Sequence, residues 1–260
     1  MKKVITLVLT LALVAAVSLA SASTTLVVGA SSTPHAEILE QAKALLAQKE
    51  IELDIVVFDD YVQPNLQLDA GDLDANYFQH LPYLEDFNAQ NGTKLVSAGA
   101  VHYEPMGIYA GKSSDIENIP DGAVIAVPND TTNEARALAL LEYLGIITLN
   151  EGAGETATAL DIAENPKNVE IIEVEAAQIP RQLADVDFGV INSNYALQAG
   201  AEVTGTALAT ESTEVAYPNV IAVREGDERE ELKTLVEVLQ SDDMVSWINE
   251  TYQGAVVPTK

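Results

Sequence analysis

Apolar and polar positions along this chain switch between two periods, one suited to buried strands and one to helices with a single apolar face. Leu26-Val-Val-Gly29 is a short apolar run that predicts a strand. Thr33-Pro34 follows as an N-cap and first-turn proline for a helix through Leu46, with Ile38, Leu39, Ala42, Leu45 and Leu46 on one face. Residues 51–58 predict the next strand, 62–68 a short helix stopped by Gly71, and 79–90 another helix. Extended segments over 95–109 are broken by Pro105. The turn signal Ile119-Pro-Asp-Gly122 opens a second run of strand 123–127, helix 133–144 closed by Gly145, strand 169–174, short helix 179–183 and strand 188–191. A strand at 220–223 and helices at 228–239 and 243–252 complete the pattern. Such alternation predicts an α/β fold of parallel sheets with helices on their faces. No internal repeat and no Pro-, Gly- or Ser-rich linker divides it, so two lobes sharing the chain fit better than separate beads.

The first 22 residues break this pattern. Lys2 and Lys3 precede an apolar stretch over 4–17, and Ser18-Leu-Ala-Ser-Ala22 closes it with small residues. That is the grammar of a cleaved secretory signal peptide, and the run is shorter than the ~20 apolar residues of a membrane span. Cleavage after Ala22 leaves a soluble exported chain starting at Ser23. Cysteine is absent, which excludes disulfides, thiolate metal sites and cysteine nucleophiles. It also removes the residue a lipid would modify, so the expectation is a periplasmic or extracytoplasmic monomer that is not lipid-anchored. The net charge of −27 makes nucleic acid a poor partner. Its acids are scattered along the chain, as in a solvated coat that keeps a protein soluble.

Catalytic chemistry finds little support. His35, His80 and His102 stand in no metal-ligand spacing, and there is no Gly-x-Ser-x-Gly elbow. Gly152-Ala-Gly154-Glu-Thr-Ala157 resembles a dinucleotide fingerprint, with Glu173 downstream, but no firm strand precedes it. An exported enzyme using this Gly152 loop is the competing reading. The expectation is no enzyme, no cofactor and no metal.

Other residues suit a small-molecule pocket. Tyr77, Phe78 and Tyr83 crowd together with His80, and Tyr61 lies upstream. Such rings grip a thioether or aliphatic side chain. Pro128-Asn-Asp-Thr-Thr-Asn-Glu-Ala-Arg136 joins a strand to a helix, where free N–H groups attract an anion. Arg136 in the first turn opposes the helix dipole, which makes sense if it holds a carboxylate; a salt bridge to a nearby acid is the alternative. Ile191-Asn-Ser-Asn-Tyr195 and Tyr217-Pro-Asn219 place amides beside strands, where they can serve both ends of an amino acid.

Several of these segments closely resemble the methionine-binding (MetQ/NlpA) family. They are Val28-Gly-Ala-Ser-Ser-Thr-Pro-His-Ala-Glu-Ile-Leu39, Asp60-Tyr-Val-Gln-Pro-Asn65, Asp74-Ala-Asn-Tyr-Phe-Gln-His80, Pro128-Asn-Asp-Thr-Thr-Asn133, Glu164-Asn-Pro-Lys-Asn168 and Glu175-Ala-Ala-Gln-Ile-Pro-Arg181. The resemblance implies a substrate-binding component of an ABC importer, working with a membrane permease and its cytoplasmic ATPase. It implies a two-lobe periplasmic-binding-protein fold of type II character. The expected division is 23–107 plus 222–260 for one lobe and 108–221 for the other, hinged near 105–111 and 219–224. Tyr61, Phe78, His80 and Tyr83 would surround a methionine side chain. Arg136 would hold the carboxylate, with Asn133, Asn192 and Asn219 completing the contacts. His102, in His102-Tyr-Glu-Pro105, lies near a matching motif and ranks below these.

Overall fold

The computed structural model describes residues 23–200, 207–212 and 217–260. The expected signal peptide lies outside the described residues. Among those described, no helix is long and apolar enough to cross a membrane.

The chain opens with β1 (Thr24–Ser31), α1 (Glu37–Ala47), β2 (Ile51–Phe58), α2 (Gln63–Ala70), β3 (Ala75–His80), α3 (Leu81–Asn91) and β4 (Leu95–Tyr103). It continues through β5 (Gly107–Ala110), β6 (Val124–Pro128), α4 (Thr131–Tyr143), β7 (Thr148–Leu149), β8 (Ile162–Glu164) and β9 (Glu170–Val174). Then come α5 (Ile179–Gln182), β10 (Phe188–Ile191), α6 (Ser193–Ala199) and β11 (Ala207–Thr210). It closes with β12 (Pro218–Arg224), α7 (Glu230–Leu239), α8 (Asp242–Tyr252) and β13 (Val257–Pro258).

Two mixed sheets organise these elements. One has the order β13-β4-β12-β3-β1-β2, the other β11-β5-β10-β6-β9. The parallel neighbours are β2 with β1, β1 with β3, β10 with β6 and β6 with β9, each pair connected through at least one helix. The chain passes from the first sheet to the second after Tyr103 and returns before Pro218. These two crossings are themselves tied, since the Glu211 N–H donates to the Met106 carbonyl at 2.9 Å.

Each sheet has its own apolar core. Ile38, Leu39, Ala42 and Leu46 of α1 meet Leu232, Leu235 and Leu239 of α7 over Leu26 and Val28 of β1. At Gly99 of β4 a β-carbon would stand 2.5 Å from Val236 Cγ1, so glycine lets α7 lie close on the strand. The second core joins Leu138 and Leu141 of α4 to Ile125, Val127, Phe188 and Val190.

Several expected boundaries shift. Thr33 is no N-cap: its hydroxyl donates to the Glu37 carboxylate at 2.7 Å, Ser32–Ala36 forms a wide turn, and the regular helix begins at Glu37. Strand β12 belongs to the first sheet over its whole length, pairing with β3 and β4, so the expected lobe boundary at 221/222 falls inside a strand. Strand β3 was not anticipated at all. It is buried at every position, yet three of its six residues are polar. Two of them, Asn76 and Gln79, are held by a private amide network: Asn65 Nδ2 donates to Gln79 Oε1 at 2.8 Å, and Asn76 Nδ2 donates to Asn65 Oδ1 at 2.8 Å. Paired amides can stand where a doubly covered strand would ordinarily be apolar.

Candidate functional site

A cavity lies where the ends of β3, β6, β10 and β12 converge. Its lining includes Tyr61, Phe78, His80, Tyr83, Asn133, Arg136, Asn192 and Asn219, so all the expected site residues share one space. Ligands in open α/β sheets sit beyond the carboxyl ends of strands, and three of these four elements end there.

His80 closes β3 and caps α3. Its Nδ1 accepts from the Tyr83 backbone N–H at 3.1 Å, so the proton sits on Nε2, which faces Asn133 Oδ1 at 3.3 Å. Burial, reinforced by the Arg136 charge, pushes its pKa down to about 3, so the ring is neutral. The capped turn aims Tyr83 back at Phe78 and Tyr61. Ring centroids are 5.8 Å apart for Tyr61–Phe78 and 6.0 Å for Phe78–Tyr83. The Tyr83 hydroxyl donates to the Tyr61 carbonyl at 2.9 Å, and the Tyr61 hydroxyl donates to Asn194 Oδ1 at 2.6 Å.

Across the cavity, Asp130 caps α4, accepting from the Asn133 backbone N–H at 3.1 Å and from its Nδ2 at 2.8 Å. Burial raises the Asp130 pKa against these hydrogen bonds. The helix begins earlier than expected, which puts Arg136 in the second turn. Asn133 Oδ1 receives Asn192 Nδ2 at 2.8 Å and Arg136 at 3.3 Å. The Arg136 guanidinium also pairs with Glu211 and donates to the Glu104 carbonyl at 3.3 Å. The salt-bridge alternative for Arg136 is therefore realised at one end of the guanidinium, while its Nε remains buried without a partner. Asn192 Oδ1 and Asn194 Nδ2 are likewise buried and unpartnered.

Sequence reasoning missed Glu104, Ser193 and Asn194, which line the same cavity, and Glu211, which pairs with Arg136. Glu104 adjoins the noted His102, but nothing marked it among so many acids. His102 itself does not line the cavity; it is fully buried behind Glu104 and holds it at 2.6 Å. Donor atoms of His35, His102 and Glu104 lie within 4.8 Å of one another, a spacing a metal could use. A hydrogen bond from His102 Nε2 and a 3.1 Å contact from His35 Nε2 engage Glu104 Oε1 without one. The Gly152 passage forms only a short 3₁₀ turn, Gly154–Thr156, after a two-residue strand. The competing enzyme reading thus lacks the strand–turn–helix that a phosphate cradle requires.

Two sheets that share the chain through paired crossings, with a polar and aromatic cavity at their strand ends, define a periplasmic-binding-protein fold. The NlpA lipoprotein family model matches residues 26–260, and the chain belongs to that family. It is 43% identical over 239 residues to the "Methionine-binding lipoprotein MetQ" of Bacillus subtilis, covering 90% of this chain and 87% of the relative. It is 42% identical over 231 residues to the "Membrane lipoprotein TpN32" of Treponema pallidum, covering 88% of this chain and 86% of the relative. A nutrient binding protein from Burkholderia cenocepacia, solved bound to methionine, superposes with a TM-score of 0.87 at 45% identity, covering 90% of this chain and 100% of that one.

These relatives correct one expectation. The family is one of lipoproteins, and a relative is named a membrane lipoprotein, so the inference of a protein without a lipid anchor does not stand. It rested on the missing cysteine, which bears on a single acylation chemistry and not on where a protein resides.

Proposed function

We propose that this protein captures L-methionine, or a close analogue, in the cavity and delivers it to an ABC import permease driven by a cytoplasmic ATPase. It works outside the cytoplasm as a monomer and performs no chemistry on its cargo. The observation that carries this reading is the set of unpartnered groups facing an aromatic wall. Arg136 Nε and Asn194 Nδ2 offer two donors for a carboxylate, and Asn192 Oδ1 offers an acceptor for an ammonium. Tyr61, Phe78 and Tyr83 supply rings on which a thioether packs well. Asn133 and Asn219 orient the polar end, and His80 joins the two walls. The methionine bound by the Burkholderia cenocepacia relative supports the same ligand class.

The two sheets serve as lobes, 23–107 with the returning segment and 108 up to the second crossing, with the paired crossings as the hinge. Contacts across the cleft favour this: Gln90 Nε2 donates to Thr131 Oγ1 at 3.2 Å, and the Tyr195 hydroxyl donates to the Asp59 carbonyl at 3.3 Å. Native mass spectrometry of freshly purified protein should find a co-purified amino acid of methionine's mass. Calorimetry with L- and D-methionine should then give saturable one-to-one binding. Failure to bind either enantiomer after removal of endogenous ligand refutes the reading.

A further inference from the structure

One buried charge in the cavity wall lacks an opposite number. Arg136 is already paired with Glu211, yet a second carboxylate, Glu104, lines the same cavity at 7% exposure. Among the described residues its close basic neighbours are His35 and His102. Burial pushes those rings to pKa values of about 4 and about 3, so both are neutral. A neutral ring lends a hydrogen bond but no charge. A buried carboxylate among neutral donors is costly, and the field of Arg136 offsets that only in part, since burial still raises the Glu104 pKa.

The position of this carboxylate is nevertheless set from behind by two histidines. Glu104 Oε1 accepts from His102 Nε2 at 2.6 Å, and His35 Nε2 stands 3.1 Å from the same oxygen. An ionised carboxylate only accepts, so His102 carries its proton on Nε2. His102 Nδ1 is then an acceptor, and the Tyr77 hydroxyl donates to it. His35 Nε2 also reaches Asn219 Oδ1 at 3.4 Å, which links this relay to a second residue of the cavity. Both histidine contacts fall on Oε1 and leave Oε2 outside the relay. Tyr77, His102 and His35 are all within 1% of full burial, so solvent cannot take over their roles.

We infer that Glu104 is a specificity-determining residue that selects ligands carrying an α-ammonium, with His35, His102 and Tyr77 as the positioning residues that hold it at the cavity wall. This rests on the methionine reading of the site. A zwitterion is neutral overall, and its two ends divide the charges of the wall: carboxylate toward Arg136 Nε, ammonium toward Glu104. A simple carboxylic or 2-keto acid brings a negative charge into a cavity where Glu104 is still uncompensated. Selection for amino acids over their amine-free counterparts follows from that imbalance.

Calorimetry of ligand-stripped protein with L-methionine and with 4-(methylthio)butanoic acid, the same molecule without its amino group, tests this. The wild type should prefer methionine by at least about thirtyfold. Glu104→Gln should lose most of that preference, by binding methionine more weakly and the amine-free acid at least as well as before. Tyr77→Phe, which removes one hydroxyl of the relay, should lower the preference part-way. A merely structural role would weaken both ligands alike, so the ratio is the readout. A Glu104→Gln protein with the wild-type ratio overturns the assignment while leaving the methionine site intact. If that variant does not fold, an unchanged ratio in Tyr77→Phe overturns it instead. A wild-type protein that binds neither compound overturns the methionine reading and this assignment together.

Discussion

On one wall of the cavity Tyr61, Phe78 and Tyr83 lean on one another, and the hydroxyls of the two tyrosines already have partners. On the other wall Arg136 Nε, Asn192 Oδ1 and Asn194 Nδ2 are buried and unmatched. The aromatic wall is complete as it stands and would stabilise the fold with or without cargo. The polar wall is complete only in the presence of a ligand that both donates and accepts. Unmatched buried polar groups cost about 1–3 kcal/mol each, so binding should recover there what folding gave up. Stability and affinity are thus divided unevenly between the walls, and mutations should separate them.

The largest effect should come from the polar wall. Arg136→Ala should weaken amino-acid binding by about 2–4 kcal/mol, because a desolvated ligand carboxylate and Glu211 both lose their partner. Calorimetry giving wild-type affinity in that variant would remove Arg136 from the site.

Phe78→Ala should act on both quantities. Phe78 is 3% exposed and packs with Tyr83 and Phe87, so unfolding stability should fall by about 3 kcal/mol. Methionine affinity should fall too, while the loss shrinks for alanine, whose side chain does not reach the rings. Equal loss for all ligands in calorimetry would assign Phe78 to packing alone and sharpen the division between the walls.

Acidification tests the polar wall again, more gently. Burial raises the Glu104 pKa above the usual carboxylate range. The ionised form attracts an ammonium, so methionine affinity should decline as pH falls through that raised pKa. The amine-free acid should show no such decline from this group. Titrations across the acidic range would reveal the difference, and parallel curves for both ligands would count against Glu104.

The smallest effect should be Tyr61→Phe. It removes the hydroxyl that donates to Asn194 Oδ1 at 2.6 Å and spans the two walls. The loss should be about 1 kcal/mol in affinity, with melting temperature nearly unchanged. A large stability loss would mean that the walls are coupled in folding and not only through the ligand.

Much of the site was legible because its residues sit in distinctive local company. The aromatic cluster around Phe78 and His80 stood out in a chain that is 5% aromatic. Asn133 and Arg136 stood out at a strand-to-helix junction, and Asn192 and Asn219 beside strands. Strand β3 was hidden because Asn76, Gln79 and His80 masked its period, and their pairing is with Asn65 and Asn133, which lie elsewhere in the sequence. Position 221/222 was a poor boundary because the partners of β12 lie more than a hundred residues upstream.

By itself the sequence determined the α/β alternation, the family motifs and eight of the residues that line the cavity, since periodicity and local chemistry are written in neighbouring positions. Only the tertiary structure decided which acids matter. Glu104 and Glu211 are two among 40 acidic residues, and nothing adjacent to either distinguishes it. Each sits on one of the two crossings between the sheets, and it is the tie between those crossings that brings the Glu211 carboxylate and the Glu104 backbone carbonyl to Arg136. Selecting them took long-range geometry, because a buried charge acquires its role from what is folded against it.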